Sequence, residues 1–367
     1  MANFLNSRFF KVYIVPGAVF QSVMVGGGYG TGREIVEYFT SYGFLGGLFG
    51  LGIAFACMAI VLALTFEFAR LFKVYDYRNF FKRLLGPGWI VFEVLIILIF
   101  LLVLAVLASA AGNILQDNFG ISYGVGLSIM LVVVGTLTFF GRDLIAKVLT
   151  FWSFFLYAVF ITFFVLVFSN NSAPIGEAIR HAEILEGWWQ SGFKYALYNI
   201  AAAPLLLYVA RVFETRKEAL KSGVVAGAIA MAPAVVFQVA FFAAYPEILT
   251  QPIPTYWMMG KLGMTVLVIV YSVMLFGTFI ETGAGMLQGI NERIDAYLVE
   301  KRGRGLGRVT HSVIAVSAIV VSAVLSLWGI TNLIGRGYGT MAWGFLVVYV
   351  VPLLTIGLYR IVKSKHK

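Results

Sequence analysis

Two stretches of this chain place polar groups inside otherwise apolar sequence, and the first is a glycine-rich segment. It reads Val25-Gly26-Gly27-Gly28-Tyr29-Gly30-Thr31-Gly32-Arg33-Glu34, with five glycines in seven residues. Each glycine in a helix costs roughly 1 kcal/mol relative to alanine, so we expect a helix to break here. The break would free backbone N–H and C=O groups, which in an apolar setting need a partner such as a ligand.

The second stretch contains Glu281, inside an apolar run over residues 263–290. Glu281 lies about ten residues, or about 15 Å along a helix, from the next charged residue, Glu292. An ionisable group at such a depth in a membrane costs at least about 2.5 kcal/mol and by default indicates function. The carboxyl group could carry a proton or bind Na⁺, and the alternative is a structural ion pair with Arg33 or another buried donor.

The elements that must position these groups are membrane helices. Hydrophobic residues make up 60% of the 367 residues and charged residues only 12%, and the mean hydropathy is +0.91, far outside the soluble range. A lone cysteine allows no disulfide framework, and His181, His311 and His366 do not cluster with metal-ligand spacing. The chain offers no nucleophile–base pattern, so we expect no enzyme, no cofactor and no bound metal other than a coupling ion.

Ten apolar segments are long enough to cross a bilayer. Each has around twenty or more mostly apolar residues, which as a helix spans about 30 Å of hydrocarbon. We predict an all-α polytopic membrane protein with a single transmembrane domain over residues 1–367. The predicted spans, first to tenth, are 9–39, 44–71, 88–116, 121–140, 145–168, 190–214, 219–244, 263–290, 309–328 and 339–361.

Basic residues determine the predicted orientation. With a cytoplasmic N-terminus, 22 of the 27 lysines and arginines lie at the termini or in cytoplasmic connections, as the positive-inside rule requires. Both termini are therefore predicted to be cytoplasmic, and the scatter of these residues over every inner connection argues against nucleic-acid binding. The 22 residues are Arg8, Lys11, Arg70, Lys73, Arg78, Lys82, Arg83, Arg142, Lys147, Arg211, Arg216, Lys217, Lys221, Arg293, Lys301, Arg302, Arg304, Arg308, Arg360, Lys363, Lys365 and Lys367.

The ten spans divide into two halves of five, approximately residues 9–168 and 190–361. An odd number of spans per half makes the halves run in opposite directions through the membrane. Pro204, in the sixth span, removes a backbone hydrogen bond and clashes one turn back, which favours a break at about residues 199–203. Broken helices at matching positions of inverted halves indicate a binding site near the middle of the membrane.

With these features the chain resembles the amino acid–polyamine–cation superfamily of transporters, which has the LeuT fold of two inverted five-span repeats with broken first and sixth helices. Within that superfamily, the segment 26–34 and the ten-span size are most similar to the uncharacterised YkvI-like bacterial membrane proteins. The resemblance implies alternating-access transport in a bacterial cytoplasmic membrane. It also implies a substrate held between the first, third, sixth and eighth spans.

The resemblance assigns roles to particular residues. The glycines and Thr31 of the first span match the unwound segment that binds substrate and ion in relatives, and Tyr198 and Asn199 match the sixth-helix break. Thr282 matches a small hydroxyl residue that helps coordinate an ion between the first and eighth spans. Glu281 and Thr282 are the candidates for coupling to H⁺ or Na⁺. The candidate substrate-binding residues are Gly26, Gly27, Gly28, Tyr29, Gly30, Thr31, Ser109, Asn113, Tyr198, Asn199 and Ala202.

Two of these groups have structural alternatives. Ser109 and Asn113 share one face of the third span, where they would either line the site or form hydrogen bonds between helices without a ligand. The position of Arg33 is close to that of an outer-gate arginine in sodium-coupled relatives. Those relatives pair the arginine with an acidic residue near the outer end of the tenth span, where this chain has Arg336 instead. Arg33, with Glu34 and Glu37, is therefore either an outer gate or an ordinary charge cluster at the interface. The outer connection at residues 247–261 is likewise either a lid or an interfacial loop.

We expect a secondary active transporter of a small organic solute, an amino acid or related amine, coupled to H⁺ or Na⁺. Sparse charge in the predicted cavity argues against a highly charged solute, and a zwitterion could bind to the half-helix dipoles alone. The alternative is a channel-like or sensory membrane protein that keeps the fold without coupled transport. The expected partners are the solute and the lipid bilayer, while the oligomeric state is not predictable from these residues.

Overall fold

The computed structural model describes residues 7–140, 142–263, 265–303, 305 and 307–364, and all regular structure in these residues is helical. Six helices are long and apolar enough to cross a membrane, and counting each of two bent helix pairs as one span raises the number to eight. Two shorter apolar helices, Phe10–Met24 and Tyr123–Thr136, lie within the predicted first and fourth spans. The all-α polytopic class is confirmed, and the count of ten spans stays a prediction.

The predicted first span is broken twice. One break lies at residues 25–26, and the other lies at residues 31–32, where Gly32 has a φ of 80°. This left-handed backbone conformation favours glycine, which has no Cβ to clash. The break predicted at residues 26–32 is therefore confirmed. The pieces of the first helix are the π-helical turn Phe10–Ile14 and the α-helices Val15–Met24, Gly27–Gly30 and Arg33–Tyr38.

The predicted sixth span bends by 64° between the α-helix Trp188–Ile200 and the 3₁₀-helix Ala203–Val212. Pro204 lies in the first turn of the 3₁₀-helix, where its missing N–H leaves no helical hydrogen bond unmade. The bend falls at residues 201–202, inside the region that Pro204 predicted. Both halves of the chain therefore contain an interrupted helix.

Long helices occupy the other spans, and two of them extend past their predicted bounds. The eighth helix, Thr265–Arg302, continues well beyond residue 290. The tenth begins at Ile330 rather than at residue 339, because the glycine-containing stretch Leu333–Tyr338 is wound into a π-helix whose apolar side chains are buried. The remaining α-helices are Phe44–Phe72, Tyr77–Leu85, Trp89–Phe119, Tyr123–Phe140, Arg142–Asn170, Ser172–His181, Arg216–Phe241, Pro254–Lys261, Arg308–Ser326, Gly339–Phe345 and Leu358–Lys363.

The helices form two packed groups. The first, second, sixth and seventh helices pack mainly with one another, and the third, fourth, eighth and ninth do the same. Glycines let the backbones of the first group touch, since a Cβ at Gly192 would collide with the backbone of Gly50 and a Cβ at Gly223 with that of Ala63. Close contact at small residues is a common way for membrane helices to associate.

The orientation in the membrane and the division into two inverted repeats stay predictions. Among the basic residues used for the orientation, Arg304, Lys365 and Lys367 lie outside the described residues, as do the side chains of Arg142, Lys147 and Arg308.

Candidate functional site

The two broken helices meet at a small cavity of about 80 Å³. Gly26 and Gly28 line it from the first helix, and Tyr198, Asn199 and Ala202 line it from the sixth. These five residues are among the predicted substrate-binding residues. The third, eighth and tenth helices complete the wall with Ile96, Ile99, Val103, Thr282, Met286 and Tyr338.

A larger cavity of about 760 Å³ adjoins the small one. Exposed residues, Glu292 and Ala296, line its far end, at the side of the molecule predicted to be cytoplasmic. The candidate site therefore lies next to a cavity that reaches exposed residues on that side. The residues that line both cavities are Val23, Phe100, Leu205, Thr282 and Met286.

On the opposite side, Arg33 ties the outer connection to the first helix. Its guanidinium donates to the carbonyl oxygens of Leu249 at 2.8 Å and Gln251 at 3.0 Å. It also donates to Oε2 of Glu37 at 2.7 Å, and the arginine is only 4% exposed. Arg33 therefore holds the outer connection to the first helix, and its role as an outer gate stays a prediction.

The outer connection, residues 247–261, folds over the second break of the first helix. The Thr255 N–H donates to the carbonyl oxygen of Thr31 at 3.1 Å. The Tyr256 hydroxyl donates to Oδ1 of Asn118, on the third helix, at 2.7 Å. The connection therefore covers the outer end of the broken helix, as a lid would.

Gly32 lies where the outer connection meets the first helix, and we expect Gly32→Ala to destabilise the protein. An added Cβ would lie 2.5 Å from Cζ of Phe241 and 2.5 Å from Oγ1 of Thr255. The left-handed backbone should cost about 1–2 kcal/mol and the overpacking about 1–3 kcal/mol of unfolding free energy. Thermal unfolding of the purified protein measures the loss. Gly120→Ala is the control, since its φ is 65° and no atom lies within 4 Å of the added Cβ; equal losses in both variants would contradict the packing role.

The eighth helix places Thr282 beside the first break and the neighbouring Glu281 in the wall of the larger cavity. A Cβ at Gly26 would lie 3.3 Å from Cγ2 and 3.7 Å from Oγ1 of Thr282. Glu281 lines the larger cavity and forms no hydrogen bond or ion pair with another described residue. Because Arg33 is bonded to Glu37 and the outer connection, the alternative of a structural Arg33–Glu281 pair is not realised.

Three other candidates on the first helix, Tyr29, Gly30 and Thr31, line neither cavity and contact other protein groups instead. The ring of Tyr29 packs edge-on against Phe237, with centroids 5.7 Å apart. The carbonyl oxygen of Gly30 accepts a hydrogen bond from Tyr271 at 2.6 Å, and the Thr31 hydroxyl donates to a carbonyl of the same segment at 2.7 Å. These contacts hold the short helix that Gly27 begins.

Ser109 and Asn113 also lie outside the lining of both cavities. The Tyr123 hydroxyl lies 2.7 Å from Ser109 Oγ and 2.7 Å from the carbonyl oxygen of Ser326, and Asn113 donates to the carbonyl oxygen of Ser109 at 2.8 Å. The two Tyr123 contacts connect the third, fourth and ninth helices, whereas the Asn113 bond lies within the third helix. They match the alternative of hydrogen bonding between helices without a ligand.

Glu34 does not lie in the predicted charge cluster at the outer interface. It was grouped with Arg33 and Glu37 at the outer interface, but it is 5% exposed and lines the small cavity. Arg33 and Glu37 are four residues apart, so they share a helix face and pair with each other. That spacing was the available signal, because an arginine engaged on one face leaves Glu34 to point elsewhere.

Solved structures share this architecture. A substrate-bound, outward-open Na⁺-coupled sialic acid symporter is 12% identical over 91% of this chain and 78% of its own, with a TM-score of 0.61. Mhp1 in an inward-facing conformation is 14% identical over 92% of this chain and 76% of its own, with a TM-score of 0.62. MhsT in complex with L-phenylalanine is 13% identical over 97% of both chains, with a TM-score of 0.58.

The chain therefore has the LeuT fold, as the predicted resemblance implied. These structures are of transporters and not of enzymes. In sequence, the chain is similar to the uncharacterised membrane protein YkvI of Bacillus subtilis strain 168. The two are 22% identical over 315 residues, which cover 83% of this chain and 86% of YkvI. No family model matches the chain.

Proposed function

We propose that the protein is a secondary active transporter of a small organic solute, an amino acid or related amine. One observation carries the proposal: the cavity between the two broken helices adjoins a larger cavity that reaches exposed residues, while on the opposite side Arg33 bonds the outer connection to the first helix. A solute there has access to one side of the membrane at a time. Such access is what alternating-access transport requires.

The two packed groups of helices supply the moving parts. In this conformation the site faces the predicted cytoplasm. To face outward, the group of the first, second, sixth and seventh helices has to tilt against the group of the third, fourth, eighth and ninth. Arg33 would then release the carbonyl groups of the outer connection, and the larger cavity would close around the inner half of the eighth helix.

Glu281 and Thr282 form the proposed coupling site for H⁺ or Na⁺. A carboxylate and a hydroxyl beside a helix break provide oxygen ligands, which suit a hard cation, and an intramembrane carboxyl group can equally carry a proton. Thr282 lines both cavities, so an ion bound there would contact the eighth helix and the first break together. Ion binding would thereby favour one of the two arrangements of the helix groups.

The proposed solute class follows from the walls of the small cavity. Ile96, Ile99 and Val103 are apolar, while Tyr198 and Asn199 supply polar groups. The likeness to MhsT, which holds L-phenylalanine, supports an amino acid, and the likeness to a Na⁺-coupled symporter supports an ion-coupled mechanism. We place the protein in a bacterial cytoplasmic membrane with both termini in the cytoplasm.

Uptake into proteoliposomes tests the proposal. The purified protein is reconstituted, a pH or Na⁺ gradient is imposed, and radiolabelled amino acids and amines are offered outside. We expect saturable accumulation that depends on one gradient and disappears when an ionophore dissipates it. A non-saturable, high-conductance leak would instead indicate a channel, and binding without accumulation would indicate a sensory protein.

A further inference from the structure

Glu34 is a buried carboxylate without a charged partner. It lies on the outer half-helix Arg33–Tyr38, and it lines the small cavity. The neighbouring Arg33 donates to Glu37 and to the outer connection. Within the described part of the chain, no lysine, arginine or histidine pairs with Glu34. A carboxylate in such a position is costly unless it binds something, so it by default indicates a function.

Two neighbours orient this carboxylate. The Tyr198 hydroxyl, from the sixth helix, donates to Oε2 of Glu34 at 2.5 Å. A Cβ at Gly28 would collide with Oε1, so the carboxylate rests directly on the backbone of the first helix. Oε1 accepts no hydrogen bond from any other described residue. One oxygen is therefore held in place by the protein, and the other is available to a ligand.

Tyrosine rings surround the carboxylate. Tyr198 and Tyr338 both line the small cavity, and their ring centroids are 4.8 Å apart. Tyr38 packs against Tyr198 at 5.5 Å, and its hydroxyl donates to the carbonyl oxygen of Ile334 at 2.8 Å, which fixes that ring. Aromatic faces attract cations through their quadrupole. A carboxylate among such rings is complementary to a single positive charge with some apolar surface.

We propose that Glu34, together with the rings of Tyr198 and Tyr338, binds the protonated amino group of the transported solute. The inference rests on the proposed transport function and narrows it to solutes with an amino group, which excludes carboxylic acids that lack one. A cavity of about 80 Å³ suits an ammonium head group. The rest of the solute can extend past Phe100 and Met286, which line both cavities.

Binding measurements on the unaltered protein test the inference first. Three sets of probes are compared: the common amino acids, the corresponding amines without the carboxyl group, and the corresponding carboxylic acids without the amino group. Thermal unfolding midpoints are recorded against probe concentration, because a ligand that binds only the folded state raises its stability. We expect amino acids or amines to bind at least about tenfold more tightly than the matching acids, since a hydrogen-bonded charge pair is lost in the acids.

Glu34→Gln tests the residue itself. Glutamine keeps the size of the side chain and an oxygen for the Tyr198 hydroxyl, but it removes the negative charge. We expect the affinity for the best amine or amino acid probe to fall at least about tenfold. Glu67→Gln is the matched control, because Glu67 is also a buried glutamate but pairs with Arg70 and lines neither cavity. Its affinity for the probe should match that of the unaltered protein.

The possible outcomes separate this inference from the proposed function. If acids without an amino group bind as tightly as their amines, or if Glu34→Gln binds the amine probe like the parent, the inference is wrong while transport stands. The same holds if Na⁺ is bound at this position and no amine competes with it. If no probe of any type is bound or transported, the proposed function fails and the inference fails with it.

Discussion

Glu281→Gln should reduce gradient-driven accumulation of the solute to equilibration, while exchange across the membrane continues. Glutamine has the size of glutamate but offers neither a titratable carboxyl group nor a negative charge for Na⁺. One coupled charge moving through 100 mV supplies about 2.3 kcal/mol, which corresponds to roughly forty-fold accumulation. Loss of coupling should therefore lower the ratio of inside to outside solute from roughly that value to about one.

Proteoliposome uptake with and without the imposed gradient measures this ratio, and counterflow of labelled solute measures exchange. Glu292→Gln is the matched control, because Glu292 lines the wide end of the same cavity and is exposed. It should accumulate solute like the parent. If Glu281→Gln also concentrates solute to the parental level, the assignment of Glu281 to coupling is wrong.

Arg33→Ala should open the outer side of the site. The substitution removes hydrogen bonds from a buried guanidinium to the carbonyl oxygens of Leu249 and Gln251 and to the Glu37 carboxylate. Bonds of this charged type contribute about 1.5–3 kcal/mol each. In the outward-facing form, water can replace most of these hydrogen bonds, so only part of their energy favours the closed form. A net difference of about 1.4 kcal/mol between the two forms is enough to change the ratio of their populations tenfold.

Thiol labelling from outside measures that shift. Cys57 is the one native cysteine, so Cys57→Ser with Ile96→Cys places a single thiol in the wall of the small cavity, where Ile96 is 1% exposed. We expect a membrane-impermeant maleimide added to right-side-out vesicles to react at least about tenfold faster when Arg33→Ala is present.

Glu37→Gln is the control for the Arg33 experiment, because it weakens the ion pair but leaves both carbonyl contacts of Arg33 intact. It should raise the labelling rate much less than Arg33→Ala does. Equal labelling of the parent and of Arg33→Ala would show that Arg33 does not hold the outer side closed, and the guanidinium would then be a structural element of the interface.

Much of the fold was predictable because it follows from local properties of the chain. Apolar segments of sufficient length indicated a polytopic helical protein, and clustered glycines and Pro204 indicated where the first and sixth helices break. The tenth helix was predicted too short, because it begins at Ile330 and not at residue 339. Burial of Leu333, Ile334 and Tyr338 against other helices winds the stretch between them.

The site was only partly predictable, because helix spacing defines a face but not the neighbour that the face meets. Gly26, Gly28, Tyr198, Asn199 and Ala202 were found from the breaks, and all of them line the small cavity.

What the sequence by itself determined is the class of protein, the two interrupted helices and the polar groups placed inside apolar segments, since composition and backbone preference belong to each stretch of chain separately. Only the tertiary structure decided that Ser109 bonds to Tyr123 and that Glu34 turns into the cavity toward Tyr198. The physical reason is that these partners are far apart in the sequence. Their contact depends on how the two groups of helices pack, and no local preference encodes that packing.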